Sequence, residues 1–424
     1  MSPHTTPETN PPTPPPPQAW IGLDWGHHTH AFALLDHTGR REEGTVPQSA
    51  EALHQWAGQL AVRFGGRPVA LAVETSRGAV IHALVEYPWL TIYPINPATS
   101  ARYRKAFTPS GASDDLPDAR VLLELLHTHG AKLRPLEPQD AATRKLTGLV
   151  ETRRALVDRR TQVLNQLTSL LRSYYPQALE LLGDLDSALA VDFLNRWPEL
   201  IRLKAARPQT LRRFYYTHNL RRPELLETRL QLIQQAVALT TDDACVSVAV
   251  LHLRCLLDQL RALRKHVALL DREIKTVFAD HPEADLFRNL PGAGAALAPR
   301  LCVAFGTLRT LYPDPSSLQK LAGVAPVREK SGRQLWTHWR WQAPRFLRQT
   351  WVEWAGQTVL YSSWAKAYYQ HMAAQGKSHQ VILRALSFKW IRVLWKCWQT
   401  HTPYNETRYL DQLRRRQSPY AVAA

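Results

Sequence analysis

The chain has 424 residues, 45% of them hydrophobic, enough for ordinary buried cores in two or three domains. Its formal net charge of +17 points to a polyanionic partner, nucleic acid before a membrane. No signal peptide and no apolar run of the ~18 residues needed to span a membrane is evident, so a soluble, cytoplasmic protein is expected.

In chain order, residues 1–19 form a Pro/Thr-rich tail with eight prolines that is expected to be disordered or extended. Trp20–Trp25 and Thr29–Asp36 are apolar runs around a polar Gly26-His27-His28 turn and predict a β-hairpin. Val69–Val73 is continuously apolar, as in a strand buried on both faces, and Leu90–Ile95 predicts another strand, ended by Asn96-Pro97. Helical patterns lie near Ser49–Val62, Gly78–Glu86 and Asp118–His129. Together these predict an α/β domain over 20–136.

Residues 137–282 change character. Leu146, Leu149, Val150, Val163, Leu164, Leu167 and Leu171 recur at helical spacing, predicting a long amphipathic helix ended by Pro176 and suited to a coiled-coil arm. A second long helical region is predicted over 222–279, and the pattern leaves the fold of 178–221 open. A mainly helical domain is expected over 283–400, with Gly/Pro breaks at 291–294, 313–315 and 323–332, followed by a basic tail over 401–424. From Val324 onward there are 16 Lys+Arg against 4 Asp+Glu, and nine of the 14 Trp. Cations grip phosphates, whereas the Trp rings can stack on bases or fill a core. The four cysteines, Cys245, Cys255, Cys302 and Cys397, lack metal-ligand or disulfide spacing and read as buried thiols.

Four carboxylates stand where phosphodiester chemistry would use them. Asp24 ends the first strand, Glu74 ends the buried strand, and Asp115 and Asp118 stand three apart at a helix start, hence on one face. Asp114 is a substitute for Asp115. Carboxylates without His or Cys suit Mg²⁺, with Mn²⁺ as a second choice. Each residue has a plainer role open to it, as a turn residue or helix cap. Further on, Pro291-Gly292-Ala293-Gly294 precedes an apolar helix; it is either a phosphate-binding helix-hairpin-helix turn or a simple helix–helix turn. Ser331 sits among Arg328, Lys330, Gly332 and Arg333, where cations would assist a hydroxyl nucleophile, although Ser-Gly is also an ordinary turn.

Taken in order, these motifs resemble the DEDD transposases of the insertion-sequence one-ten family. The resemblance is carried by Ile21-Gly22-Leu23-Asp24-Trp25, Val73-Glu74-Thr75, Ser110–Ala119, Leu290–Gly294, Ala322–Pro326 with Lys330-Ser331-Gly332, Phe346–Thr350, Val352–Ala355, Gly376–His379 and Phe388–Arg392. It covers most of residues 20–400. It implies a RuvC/RNase H-like mixed-sheet domain with Asp24, Glu74, Asp115 and Asp118 as metal ligands. It implies that Ser331 forms a covalent phosphoserine link with DNA. Gly292, Gly294, Arg328, Lys330, Arg333, Arg348, Lys377, Lys389 and Arg392 become the expected nucleic-acid contacts. Donor and target DNA, an element-encoded bridge RNA and a dimeric or tetrameric assembly are the implied partners. The sequence departs from the family at Ser113, where a lysine commonly precedes the Asp pair, and in a long 178–280 segment. Two alternatives are a RuvC-like junction endonuclease without serine chemistry and a nucleic-acid-binding protein without catalysis.

Overall fold

The computed structural model describes residues 16–107 and 115–421, so most of the proline tail, Ser113 and Asp114 lie outside the described residues. The chain divides into two units between Pro138 and Gln139.

In the first unit, β1 (Ala19–Asp24), β2 (Thr29–Asp36), β3 (Arg41–Pro47), β4 (Val69–Val73) and β5 (Leu90–Pro94) make one sheet in the order β3-β2-β1-β4-β5. β2 is antiparallel to both neighbours, while β1, β4 and β5 are parallel. The expected hairpin and later strands are present. β3 is an additional edge strand, invisible to a hydrophobic pattern because only Val46 of it is buried. Helices α1 (Ala50–Phe64), α2 (Ala79–Leu84), α3 (Pro97–Phe107) and α4 (Asp115–His129) complete the unit.

Period-two alternation gives the sheet two unlike faces. Ile21, Leu23, Phe32, Leu34, Leu71 and Val73 form a bulky face that packs with Leu53, Trp56 and Leu60 of α1 and Ile81 of α2. The opposite face is lined by small residues: Ala70 and Ala72 meet Leu122 and Leu126 of α4, and Ala31 and Ala33 meet its Ala119 and Leu123. Gly22 lies at the centre of this face. A Cβ there would fall 2.0 Å from the carbonyl oxygen of Ala119 and 2.3 Å from the backbone nitrogen of Leu123. The missing side chain is therefore what lets α4 lie directly on β1.

The second unit is built on two long helices. α5 (Ala141–Tyr174) has 34 residues, and at 1.5 Å per residue extends about 50 Å. Asp140 caps it, accepting from the Thr143 N–H at 2.9 Å. It is followed by α6 (Gln177–Leu182), α7 (Ala188–Arg196), α8 (Leu200–Lys204), α9 (Pro208–Thr217), α10 (Pro223–Gln235) and α11 (Asp243–Ala279). The expected single helical region over 222–279 is thus two helices, parted at 236–242, with Asp242 capping α11 through the Ala244 N–H at 3.0 Å. α5 and α11 run antiparallel: Leu146 and Val150 share a core with Ile274 and Phe278, and Leu167 and Leu171 share another with Leu253 and Leu257. The segment whose fold the pattern leaves open is a helical cap on the second core, filled by Phe193, Trp197, Phe214 and Tyr215. The apolar seams of both long helices are consumed within the chain. Cys245 and Cys255 correct the expectation of buried thiols: they are exposed, because Leu253, Leu256, Leu257 and Leu260 fill the inner seam of α11. Cys302 is buried and Cys397 partly so.

The remainder comprises α12 (Ala284–Arg288), α13 (Gly294–Phe305), α14 (Pro315–Leu321), strands β6 (Val327–Ser331) and β7 (Gln334–His338), α15 (Arg345–Tyr361), α16 (Ser363–Ala374), α17 (His379–Gln399) and α18 (Glu406–Arg415). The β6–β7 hairpin replaces what the Gly/Pro pattern predicts only as a break. The tail is a docked helix: Leu410 is buried, and Glu406 accepts from the Ser362 hydroxyl at 2.8 Å and the Ser363 N–H at 3.0 Å. The tryptophans divide by role. Trp351, Trp354, Trp364, Trp390 and Trp398 are fully buried, and the indole N–H groups of the last four reach Pro291, Tyr404, Thr358 and Gly306 at 2.8–3.0 Å. Trp336 and Trp341 are exposed, at 43% and 75%.

Candidate active site

Strand register brings the carboxylates together. β1 and β4 pair in parallel with Gly22 opposite Ala72 and Leu23 opposite Val73. One step further, Asp24 and Glu74 leave adjacent strands at the same level. Alternation places both on the small-residue face, the face that receives α4. Asp115 and Asp118 lie in the first turn of α4, and Asp118 immediately precedes Ala119, the residue against Gly22.

The electrostatics record this convergence. The Asp24 carboxyl is pushed up to about 6, first by burial, then by the negative charges of Asp118, Asp115 and Glu74, with Arg104 pulling the other way. Four carboxylates therefore feel one another, and the one at the centre resists ionisation. As the side chains stand, no group of three or more His, Cys, Asp or Glu among the described residues is arranged to hold a metal ion. Two residues of α3 engage the acids instead. The Ser100 hydroxyl donates to Glu74, and the Arg104 guanidinium pairs with Asp118 at 2.6 Å. Sequence reasoning missed both. Their signal is Asn96-Pro97: Asn96 accepts from the Ala98 N–H at 2.9 Å as a cap, proline fits the first helical turn, and an i,i+4 pair shares a helix face.

Ser331 ends β6, opposite Gln334, and is exposed. Gly332, with φ +58°, makes the two-residue turn with Arg333. Ser331, Glu329 and Val327 share one face of the hairpin with Gln334, Trp336 and His338. There Glu329 accepts from the Trp336 indole at 2.9 Å and the His338 imidazole at 2.8 Å, and this contact raises the His338 pKa. Arg328 and Lys330 lie on the other face, and Arg328, Lys330 and Arg333 are all exposed.

The remaining expected contacts fall into two groups. Lys377 and Arg392 are exposed. Arg348 turns inward, donating to the Arg340 carbonyl at 2.6 Å and lying 5.1 Å from the Trp339 ring centroid. Lys389 lies over Tyr368 and Tyr420, and burial lowers its pKa. Gly292, with φ +68°, is pressed against Tyr361 and Gln357 of α15, so its role in packing two helices is explicit. Gly294 begins α13, where nothing crowds it.

Two family models match the chain. That of the DEDD transposases of the IS110 group, described as a transposase, covers residues 21–176, and that described as "Transposase IS116/IS110/IS902 family" covers 284–370. The chain is 28% identical to the IS117 mini-circle protein of Streptomyces coelicolor over 92% of its own length and 96% of the relative's. It is 24% identical to the IS110 43.6 kDa protein of the same organism, with 91% and 95% covered, and 23% identical to the IS900 42 kDa protein of Mycobacterium paratuberculosis, with 91% and 97% covered. The first match spans the carboxylate-bearing sheet and α5, and the second contains the Ser331 hairpin. The chain belongs to the IS110/IS116 family of DEDD transposases, enzymes that cut and rejoin DNA to move an insertion sequence.

Proposed function

We propose that the first unit is a RuvC/RNase H-type nuclease domain in which Asp24, Glu74, Asp115 and Asp118 hold Mg²⁺ or Mn²⁺, and that Ser331 is the nucleophile. The observation carrying this is the Asp24 carboxyl raised to about 6 among three other acids. All four donors are hard oxygens, and their mutual repulsion is what a divalent cation relieves, so the set fits such an ion. A bound ion neutralises the phosphate and polarises its oxygens. Arg104, already on Asp118, moderates the negative charge when the phosphate approaches.

Ser331 completes the chemistry. Its Oγ forms an ester bond to phosphorus while the bond to one strand oxygen breaks, and that oxygen leaves as a hydroxyl with the serine's proton. A hydroxyl end of another strand then attacks phosphorus, Ser331 departs and regains a proton, and no high-energy cofactor is consumed. Arg328, Lys330 and Arg333 around it suit the phosphate charge, and the exposed Trp336 and Trp341 offer stacking faces for unpaired bases. Lys377 and Arg392 extend the phosphate contacts. The Gly292–Gly294 turn serves as a helix-hairpin-helix clamp in addition to its packing role. Guidance by an element-encoded bridge RNA and action as a dimer or tetramer rest on family membership and the net charge of +17.

The test combines the full-length chain with donor and target DNA, the transcript of the flanking non-coding DNA, and Mg²⁺. Product should form with the native chain and be absent with Ser331→Ala. Recombination by Ser331→Ala at the native rate would remove the serine mechanism.

A further inference from the structure

Beside the carboxylates, the β1–β2 turn and the start of α2 enclose a cavity of about 130 Å³, lined by Trp25, His27, His30, Gln48, Arg77 and Gly78 among others. Trp25 directly follows Asp24, and Arg77 lies three residues beyond Glu74. The cavity therefore opens next to two of the four acids. Cavities of roughly 150 Å³ hold one benzene ring.

Its inner wall is polar and unsatisfied. His30 is completely buried, and its Nδ1 accepts from the Gly26 N–H at 3.2 Å, which leaves the ring proton on Nε2. Burial lowers the pKa of this imidazole and keeps it neutral; Gln48 is near enough to offset part of that effect. Even so, neither His30 Nε2 nor Gln48 Oε1 makes a well-formed hydrogen bond, and both atoms are buried. A buried donor and a buried acceptor without partners are uncommon in a folded protein unless something else meets them. At the mouth, Trp25 is 46% exposed and meets the His27 ring edge-on at 6.2 Å between centroids.

We infer that this cavity receives one unstacked pyrimidine of the DNA strand being cut, adjacent to the scissile phosphate. The inference rests on the carboxylates being the cleavage site. A pyrimidine is a single flat ring, and its edge carries both acceptors and a donor, which match His30 Nε2–H and the Gln48 amide. The exposed face of Trp25 stacks on the ring or on its neighbour. Enzymes that extract a base commonly read it through such an edge and an aromatic flank.

The experiment uses the full-length chain and duplex DNA spanning one element end. An abasic analogue replaces each nucleotide around the cut in turn. Affinity is measured by fluorescence anisotropy in the Asp24→Asn background, so cleavage does not enter, and cleavage rate is measured separately with Asp24 intact. One abasic position should weaken binding about tenfold, as loss of one stacked base does. Trp25→Ala and Gln48→Leu should each weaken native DNA, and combining either with that abasic position should add little further loss. A purine at that position should weaken binding as much as the abasic analogue. Additive losses, or no sensitive position, would overturn the inference, and a tolerated purine would overturn the pyrimidine assignment. Melting temperatures of both variants separate these results from misfolding. If Asp24→Asn still cleaves, the carboxylate assignment fails, and the anisotropy results judge the pocket independently.

Discussion

The carboxylate site and the serine hairpin are organised by opposite means. Asp24 and Glu74 leave two strands whose neighbouring residues are completely buried, and α4 is fixed against them through Gly22. Folding there forces like charges together and holds them. Ser331 stands at the tip of a two-stranded sheet whose strands are almost wholly exposed. Isolated hairpins of this kind are marginal in water, so its firm placement depends on the DNA or protein surface it meets. The contrast teaches that the metal-type site is stored in the fold, at an electrostatic cost, whereas the nucleophile is presented and positioned by what it binds.

The sharpest way to break this contrast is chemical. Asp24→Asn or Glu74→Gln should lower DNA cleavage by about a thousandfold, the scale of losing a key electrostatic element. A rate within tenfold of native, measured on labelled DNA, would mean the buried acids are merely structural. Next is the core against the hairpin. Trp390→Ala should destabilise the second unit by about 3–5 kcal/mol. Trp341→Ala, at an exposed site, should stay within about 0.5 kcal/mol and instead weaken DNA binding. Urea unfolding and anisotropy on the same two proteins decide this, and equal destabilisation would erase the distinction between the two groups of Trp.

A subtler change probes how the acids are held. Gly22→Ala places a methyl group against the backbone of α4, so overpacking of about 1–3 kcal/mol is expected, with lost cleavage as Asp118 shifts. Retained activity would show that α4 need not touch β1. The smallest effect concerns the stored repulsion. Because the folded Asp24 carboxyl lies near 6, above its ordinary 3.8, its contribution to stability falls as pH rises from about 4 to 6 and stays unfavourable above. Asp24→Asn should therefore melt slightly higher than native at pH 8, with the difference vanishing below pH 4. A native protein that melts higher at pH 8 would contradict the charge conflict.

Much of this was legible in the sequence because burial leaves periodic traces. Val69–Val73, the hairpin around Gly26 and the Leu/Val spacing from 146 to 171 all announce their elements, and Asp24 and Glu74 are found by lying at the ends of such runs. Elements without an apolar face were not legible. β3 reads Arg-Glu-Glu-Gly-Thr-Val-Pro, and its acids are held by cations from helices, Glu42 by Arg63 and Glu43 by Arg120, each at 2.6 Å. β6 carries no buried residue, so only the Gly332 turn marks it. The break at 236–242 lacks glycine and proline altogether, which is why two helices read as one. At the site, Ser100 and Arg104 escaped notice because they are partners of the acids through tertiary contact, and no spacing links them to Glu74 or Asp118.

Binding of Mn²⁺, followed by loss of the free-ion paramagnetic resonance signal as the full-length chain is added at pH 7.5, tests the carboxylate centre most directly. The account predicts binding that Mg²⁺ competes away, that weakens as pH falls through 6 where Asp24 takes up its proton, and that Asp24→Asn abolishes. Equal Mn²⁺ binding by native chain and Asp24→Asn would contradict it.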